Sequence, residues 1–180
     1  MRTFLLSEAQ KFFLRELRQL HCVTEAQAWH LLVERFGVSE NAVAPILRQL
    51  KTAGLVRRLD GVIVLDGSKP DPQRLMANEL LLGLYPANLP RIREAPAPFL
   101  LTAVTEDRQL PVASLPIGAE VSVCCAIANH SAEAGSLPTV YALLLEAEQQ
   151  ISALKLSRPC LLAYYSGEKL CVVKHKPNVT

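Results

Sequence analysis

Asp60 and Gly61 stand between two short apolar runs, Leu55-Val56-Arg57-Arg58-Leu59 and Val62-Ile63-Val64-Leu65. A type I′ turn needs positive φ at both central residues, and Asp-Gly tolerates it, so the phrase predicts a β-hairpin. Everything before it has a helical period. Phe13, Leu14, Leu17 and Leu20 form one stripe, Ala28, Trp29, Leu32 and Phe36 a second, and Val43, Ile46, Leu47 and Leu50 a third. Each follows the i, i+3, i+4, i+7 spacing that buries one face of a helix. Ser7 with Gln10 and Thr24 with Gln27 have the spacing of capping boxes, and Ser39 is a third N-cap candidate. Gly37 and Gly54 stand where left-handed helix ends are expected.

Composition narrows the class. Half of the 180 residues are apolar, which excludes intrinsic disorder, and the net charge of +2 excludes a strongly basic nucleic-acid coat. The length suits one large domain or two small ones. No apolar run reaches the roughly 20 residues that span a bilayer. Met1 to Leu6 meets Ser7, Glu8 and Gln10 too soon for a signal peptide. Cysteines 22, 124, 125, 160 and 171 are odd in number, and several lie in apolar runs, so a reducing, cytoplasmic setting is expected.

Three helices followed at once by a hairpin is the order of a winged helix-turn-helix, over residues 1–67. Ile46-Leu47-Arg48-Gln49-Leu50-Lys51-Thr52-Ala53-Gly54-Leu55-Val56 resembles the end of a recognition helix running into its wing. That fold reads duplex DNA with residues early in its third helix. Asn41 there has the shape for adenine, while Arg48, Lys51, Arg57 and Arg58 are the candidates for phosphate. Glu40 opposes phosphate, and Pro45 removes a backbone donor. The basic residues also read as ordinary solvated charges, or Arg58 as paired with Asp60 across the turn. In the two-residue register Leu59 faces Val62 and Arg57 faces Val64. One side of the ribbon then holds Leu59, Val62 and Val64, and an apolar outer side calls for cover by the second domain or another chain.

Residues 68–98 read as a connector. A helix from about Asp71 to Gly83 is capped by Asp71 with Pro72 at its first position. Its leucines call for docking. Prolines 86, 90, 96 and 98 then favour extended chain. Residues 99–180 read as a small mixed domain of order β-β-β-α-β-β, giving an α+β chain. Phe99–Thr105 and Leu110–Leu115 form two strands, Pro111 and Pro116 marking the second as an edge. Glu120–Ala128 forms a third, Thr139–Lys155 a helix, and Cys160–Tyr165 and Leu170–Val173 the last two strands. One helix covers one face of such a sheet, leaving the other for another element or a partner subunit.

This layout behind a winged helix resembles the replication-relaxation proteins of plasmids and conjugative elements, whose second domain is similar to a restriction-endonuclease core. The resemblance implies DNA binding in the replication or transfer of a mobile element. Nuclease chemistry of that kind needs an acid and then acid-x-Lys on successive strands to hold Mg²⁺. Leu110–Leu115 and Val121–Ala128 contain neither, so a degenerate core without catalytic residues is expected. No C-x-x-C, Walker or Gly-rich phosphate phrase appears, so no metal site or cofactor is assigned. His130-Ser131 with Glu133 lies in a loop without a converging partner in sequence. The function expected is a DNA-binding regulatory or accessory protein. The alternatives are a protein-interaction module that dimerises through the wing or the open sheet face, and a metal-dependent nuclease.

Overall fold

Ser7 opens helix α1 (Glu8–Leu20) with the expected capping box. Its Oγ accepts from the Gln10 backbone at 3.3 Å, and Gln10 Oε1 accepts from the Ser7 N–H at 2.9 Å. These are features of a computed structural model that describes residues 5–130 and 137–176. Phe13, Leu14, Leu17 and Leu20 are buried along one stripe. A short strand follows, β1 (Cys22–Thr24), which the helical pattern hid. Thr24 then closes the second capping box, both bonds at 3.1 Å. Helix α2 (Glu25–Trp29) widens into a π-helical stretch, His30–Phe36. Gly37 ends it at φ +89°, its N–H reaching the Leu32 and Val33 carbonyls. Helix α3 (Glu40–Thr52) starts at Ser39, whose hydroxyl makes no capping bond, and runs through Pro45.

The hairpin forms in the expected register. Strands β2 (Val56–Leu59) and β3 (Val62–Leu65) set Arg57 opposite Val64, Arg58 opposite Ile63 and Leu59 opposite Val62. Asp60 and Gly61 both take positive φ, as a type I′ turn requires. Strand β1 joins the far side of β3 with Cys22 opposite Val64, so the sheet order is β1-β3-β2.

The chain divides into two units, Met1–Leu89 and Pro90–Thr180. The division falls within the proline-studded stretch, and helix α4 (Pro72–Leu84) belongs to the first unit. Polar contacts seat it there. Asn78, wholly buried, donates to the Leu20 and Cys22 carbonyls at 3.0 and 2.6 Å, and Gln27 donates to the Leu75 carbonyl at 3.1 Å. This corrects the reading of the hairpin's outer side. Val64 lies on the Cys22 face, beside the strand on which α4 packs, and is fully buried in its own chain. Val64 is therefore core and not an interface residue; Leu59 and Val62 stay half-buried.

The second unit is a six-stranded mixed sheet in the order β4-β5-β6-β7-β8-β9. Its strands are β4 (Arg91–Arg93), β5 (Phe99–Val104), β6 (Gln109–Leu115), β7 (Tyr141–Leu145), β8 (Cys160–Ser166) and β9 (Lys169–His175). Strands β6, β7 and β8 run parallel, and the outer pairs are antiparallel. Parallel neighbours need crossovers. Helix α5 (Glu120–Asn129) makes the first, and a segment with a 3₁₀ turn at Glu148–Ala153 makes the second. Val123, Ile127, Leu154 and Leu156 close one face of the sheet over Leu115, Tyr141, Leu143, Leu162 and Tyr164.

Three expectations for this half are overturned. Glu120–Ala128 is a helix, because its apolar residues serve a crossover and not a ladder. Thr139–Lys155 is a strand followed by a 3₁₀ turn: every residue of β7 is buried, as in a central parallel strand. Strand β6 is central and not an edge, and Pro111 fits because the ladder to β7 is interrupted there. A single bridge at Gln109–Thr139 precedes it, and pairing resumes at Val112–Ala142.

Candidate nucleic-acid interface

In the first unit, α2, α3 and the hairpin enclose an open groove of about 600 Å³. Its floor is apolar: Trp29, Val43, Leu47, Val56 and Ile63. The spacing of α3 places Val43 and Leu47 one turn apart, and Val56 and Ile63 come from the matching face of the hairpin. Along the rim stand Arg48, Lys51, Arg57 and Arg58, the four predicted phosphate contacts, together with Glu25 and Glu40.

The four cations differ in what holds them. Arg57 Nε lies 3.3 Å from Asp66 Oδ1, and its Nη2 donates to the Ser68 carbonyl at 2.9 Å. Arg58 is ion-paired with Glu25, not with Asp60. Both arginines are about half exposed, so water screens both pairs, and such pairs are worth little. Arg48 and Lys51 are exposed and have no ion pair among the described residues. Asn41 is exposed in the first turn of α3 and does not line the groove. It lies seven residues before Arg48, hence on the same face of the helix. Pro45 is exposed on that face too.

Glu25 and Trp29 were not singled out by the sequence. Glu25 reads as an ordinary acid at a helix start, and Trp29 as core. Only the packing of α2 against β1 and β3 brings them to the groove.

In the second unit, His130 Nδ1 lies 3.0 Å from Tyr141 Oη, and Arg158 donates to that oxygen at 2.7 Å and to the Ala128 carbonyl at 3.0 Å. The cluster ties the end of α5 to the start of β7 and to the segment that leads into β8. Ser131 and Glu133 lie outside the described residues. Cys22 and Cys160 are buried, Cys124 and Cys171 are half-buried and Cys125 is exposed. With Val121–Ala128 helical, the strand that a nuclease reading assigned to acid-x-Lys is absent from that position.

No protein-family model matches the chain, and no curated protein is significantly similar to it. No helix among the described residues is long and apolar enough to cross a membrane.

Proposed function

We propose that the first unit is a winged helix-turn-helix that binds duplex DNA, with α3 as its recognition helix and the β2–β3 hairpin as its wing. The observation that carries this is the meeting of Arg48, Lys51, Arg57 and Arg58 along one rim beside α3. Phosphate contacts position such a fold and base contacts specify. In this reading the four cations hold the backbone, and Asn41, ahead of Arg48 on the exposed helix face, reaches a base edge. The role we read is regulatory or accessory, and the resemblance described above suggests the replication or transfer of a mobile element. The second unit is read as non-catalytic, since β6 carries no carboxylate and no lysine. Supercoiled plasmid incubated with the protein and Mg²⁺ is expected to stay intact, and cleavage would overturn that part.

The test is fluorescence anisotropy with a labelled duplex across a salt series. Each neutralised phosphate contributes a slope of about −0.9 in log K against log salt, so four give about −3.6. Absence of binding at low salt, where attraction is least screened, sinks the proposal.

One observation favours a second reading, a protein-interaction module. The groove floor is apolar, and Arg57 and Arg58 are already paired with acids. A partner helix laid on Trp29, Val43 and Leu47 would use both features, with no DNA contact.

A further inference from the structure

The two edges of the second unit's sheet are built differently. Strand β4 has three residues, follows Pro90 and exposes Arg91 and Arg93. Short length, proline and charge are the usual ways of blocking an edge against another chain. Strand β9 has seven residues and, among the described residues, is paired on one side only, by β8. Its centre, Leu170-Cys171-Val172-Val173, is uncharged, and Val172 and Val173 are 43% and 42% exposed on opposite faces of the sheet.

We propose that two copies of this chain associate through β9, paired antiparallel about a two-fold axis at Cys171. The hairpin fixes which backbone groups are free. Ser166 and Lys169 flank the two-residue turn Gly167-Glu168, so they form a hydrogen-bonded pair, and the alternation continues along the strand. Lys169, Cys171 and Val173 turn their N–H and C=O toward β8, while Leu170, Val172 and Lys174 turn theirs outward. An antiparallel copy must match outward groups to outward groups, which allows only registers centred on a residue. Centring on Val173 sets Val172 opposite Lys174 of the copy and Leu170 opposite its Lys176. Centring on Val172 sets Leu170 opposite Lys174. Centring on Cys171 sets Leu170 opposite Val172, Glu168 opposite Lys174 and, facing inward, Lys169 opposite Val173, each twice by symmetry, with Cys171 opposite Cys171 once, on the axis. Among the described residues neither Glu168 nor Lys174 has an ion-pair partner within its own chain. Among the outward-facing residues this register alone matches apolar to apolar and acid to base throughout, so the edge is complementary to itself. The dimer carries two N-terminal units in one particle.

The chain has a mass of 19.8 kDa, so light scattering after gel filtration is expected to give twice that. Val172→Pro removes an outward N–H, leaves the β8 ladder intact, and is expected to give a monomer that melts like the parent. Lys174→Glu, an exposed change that spares the fold, should weaken the dimer by setting Glu168 against an acid. Adding Glu168→Lys should restore it. Cys171 and its symmetry mate form a non-hydrogen-bonded pair, about 4.5 Å between Cα atoms and within disulfide reach. In a Cys125→Ser background, diamide should therefore yield a covalent dimer: two thiols lose two electrons and two protons to diamide as the S–S bond forms. Peptide mapping is expected to find Cys171 joined to Cys171. A monomeric parent at high protein concentration, a Val172→Pro dimer, or a cross-link through another cysteine overturns the proposal.

Discussion

Arg58 on strand β2 is ion-paired with Glu25, the first residue of helix α2. Both residues line the groove beside α3. The pair means that a phosphate reaching Arg58 must displace a carboxylate. Glu25→Gln is therefore expected to strengthen duplex binding. An exposed pair is worth about 0.2–1 kcal/mol, so the gain is at most about fivefold in affinity. Anisotropy at low salt measures it. Unchanged or weaker binding would show that Arg58 meets no phosphate.

Arg48 and Lys51 carry no such competitor. Changing both to Ala should flatten the salt slope by about 1.8, two phosphates at about 0.9 each. The Arg57→Ala, Arg58→Ala pair should flatten it by about as much but cost less affinity, since both guanidinium groups must leave acids to reach phosphate. Asn41→Ala should leave the slope alone and relax discrimination at one base pair by about 1–3 kcal/mol. A slope unchanged by the Arg48 and Lys51 changes removes α3 from the interface.

The first unit was legible because its signals are local. Each capping box closes within four residues, and Asp60-Gly61 sets the register of the strands beside it. Strand β1 was hidden because its identity rests on pairing with Val62–Val64, about forty residues away. In the second unit the informative contrast is missing. Helix α5 has Val123 and Ile127 buried but also Val121 and Cys125 exposed, so apolar residues face both ways and no 3.6 period stands out. Strand β7 is buried on both faces, and a continuous apolar run cannot be told from a buried helix by periodicity. At the groove, the four cations were readable as charges on α3 and the hairpin, while Asn41 falls outside its lining and Glu25 became part of it only through packing.

Asn78 is expected to be a stability determinant of the first unit. Its amide joins α4 to the end of α1 and to β1, and its Oδ1 has no partner among the described residues. Asn78→Ala strands two buried carbonyls and should cost about 2–4 kcal/mol, seen in urea unfolding. Asn78→Asp sets a carboxylate against those carbonyls and should be worse at pH 7 than at pH 4. A variant as stable as the parent would show that α4 is held by its leucines alone.

Asp107 gives a pH prediction. Hydrogen bonds from Arg108 and Thr105 lower its carboxyl from the usual 3.8 to about 2. A folded-state value below the unfolded one adds stability that is full above about pH 4. That stability is lost as pH falls through about 2. The group is exposed, so the effect on unfolding is small, and the titration itself is the better measurement. Carboxyl NMR should find Asp107 titrating at about 2, and Arg108→Ala should return it toward 3.8.

The cysteines should separate cleanly by reactivity. Burial pushes the Cys160 thiol up to about 12, and it raises Cys22 as well. From the Cys160 value only about one thiol in 10⁵ is ionised at pH 7, and the thiolate is the reactive form. Cys125 stands exposed on α5, where no backbone motion is needed to reach it. N-Ethylmaleimide followed by peptide mass spectrometry should therefore label Cys125 first. Cys22 and Cys160 should react only when urea opens the units. Labelling of Cys160 at the rate of Cys125 in native buffer would mean that β8 opens locally. It would also mean that the Leu154 and Leu156 cover over this face is loose.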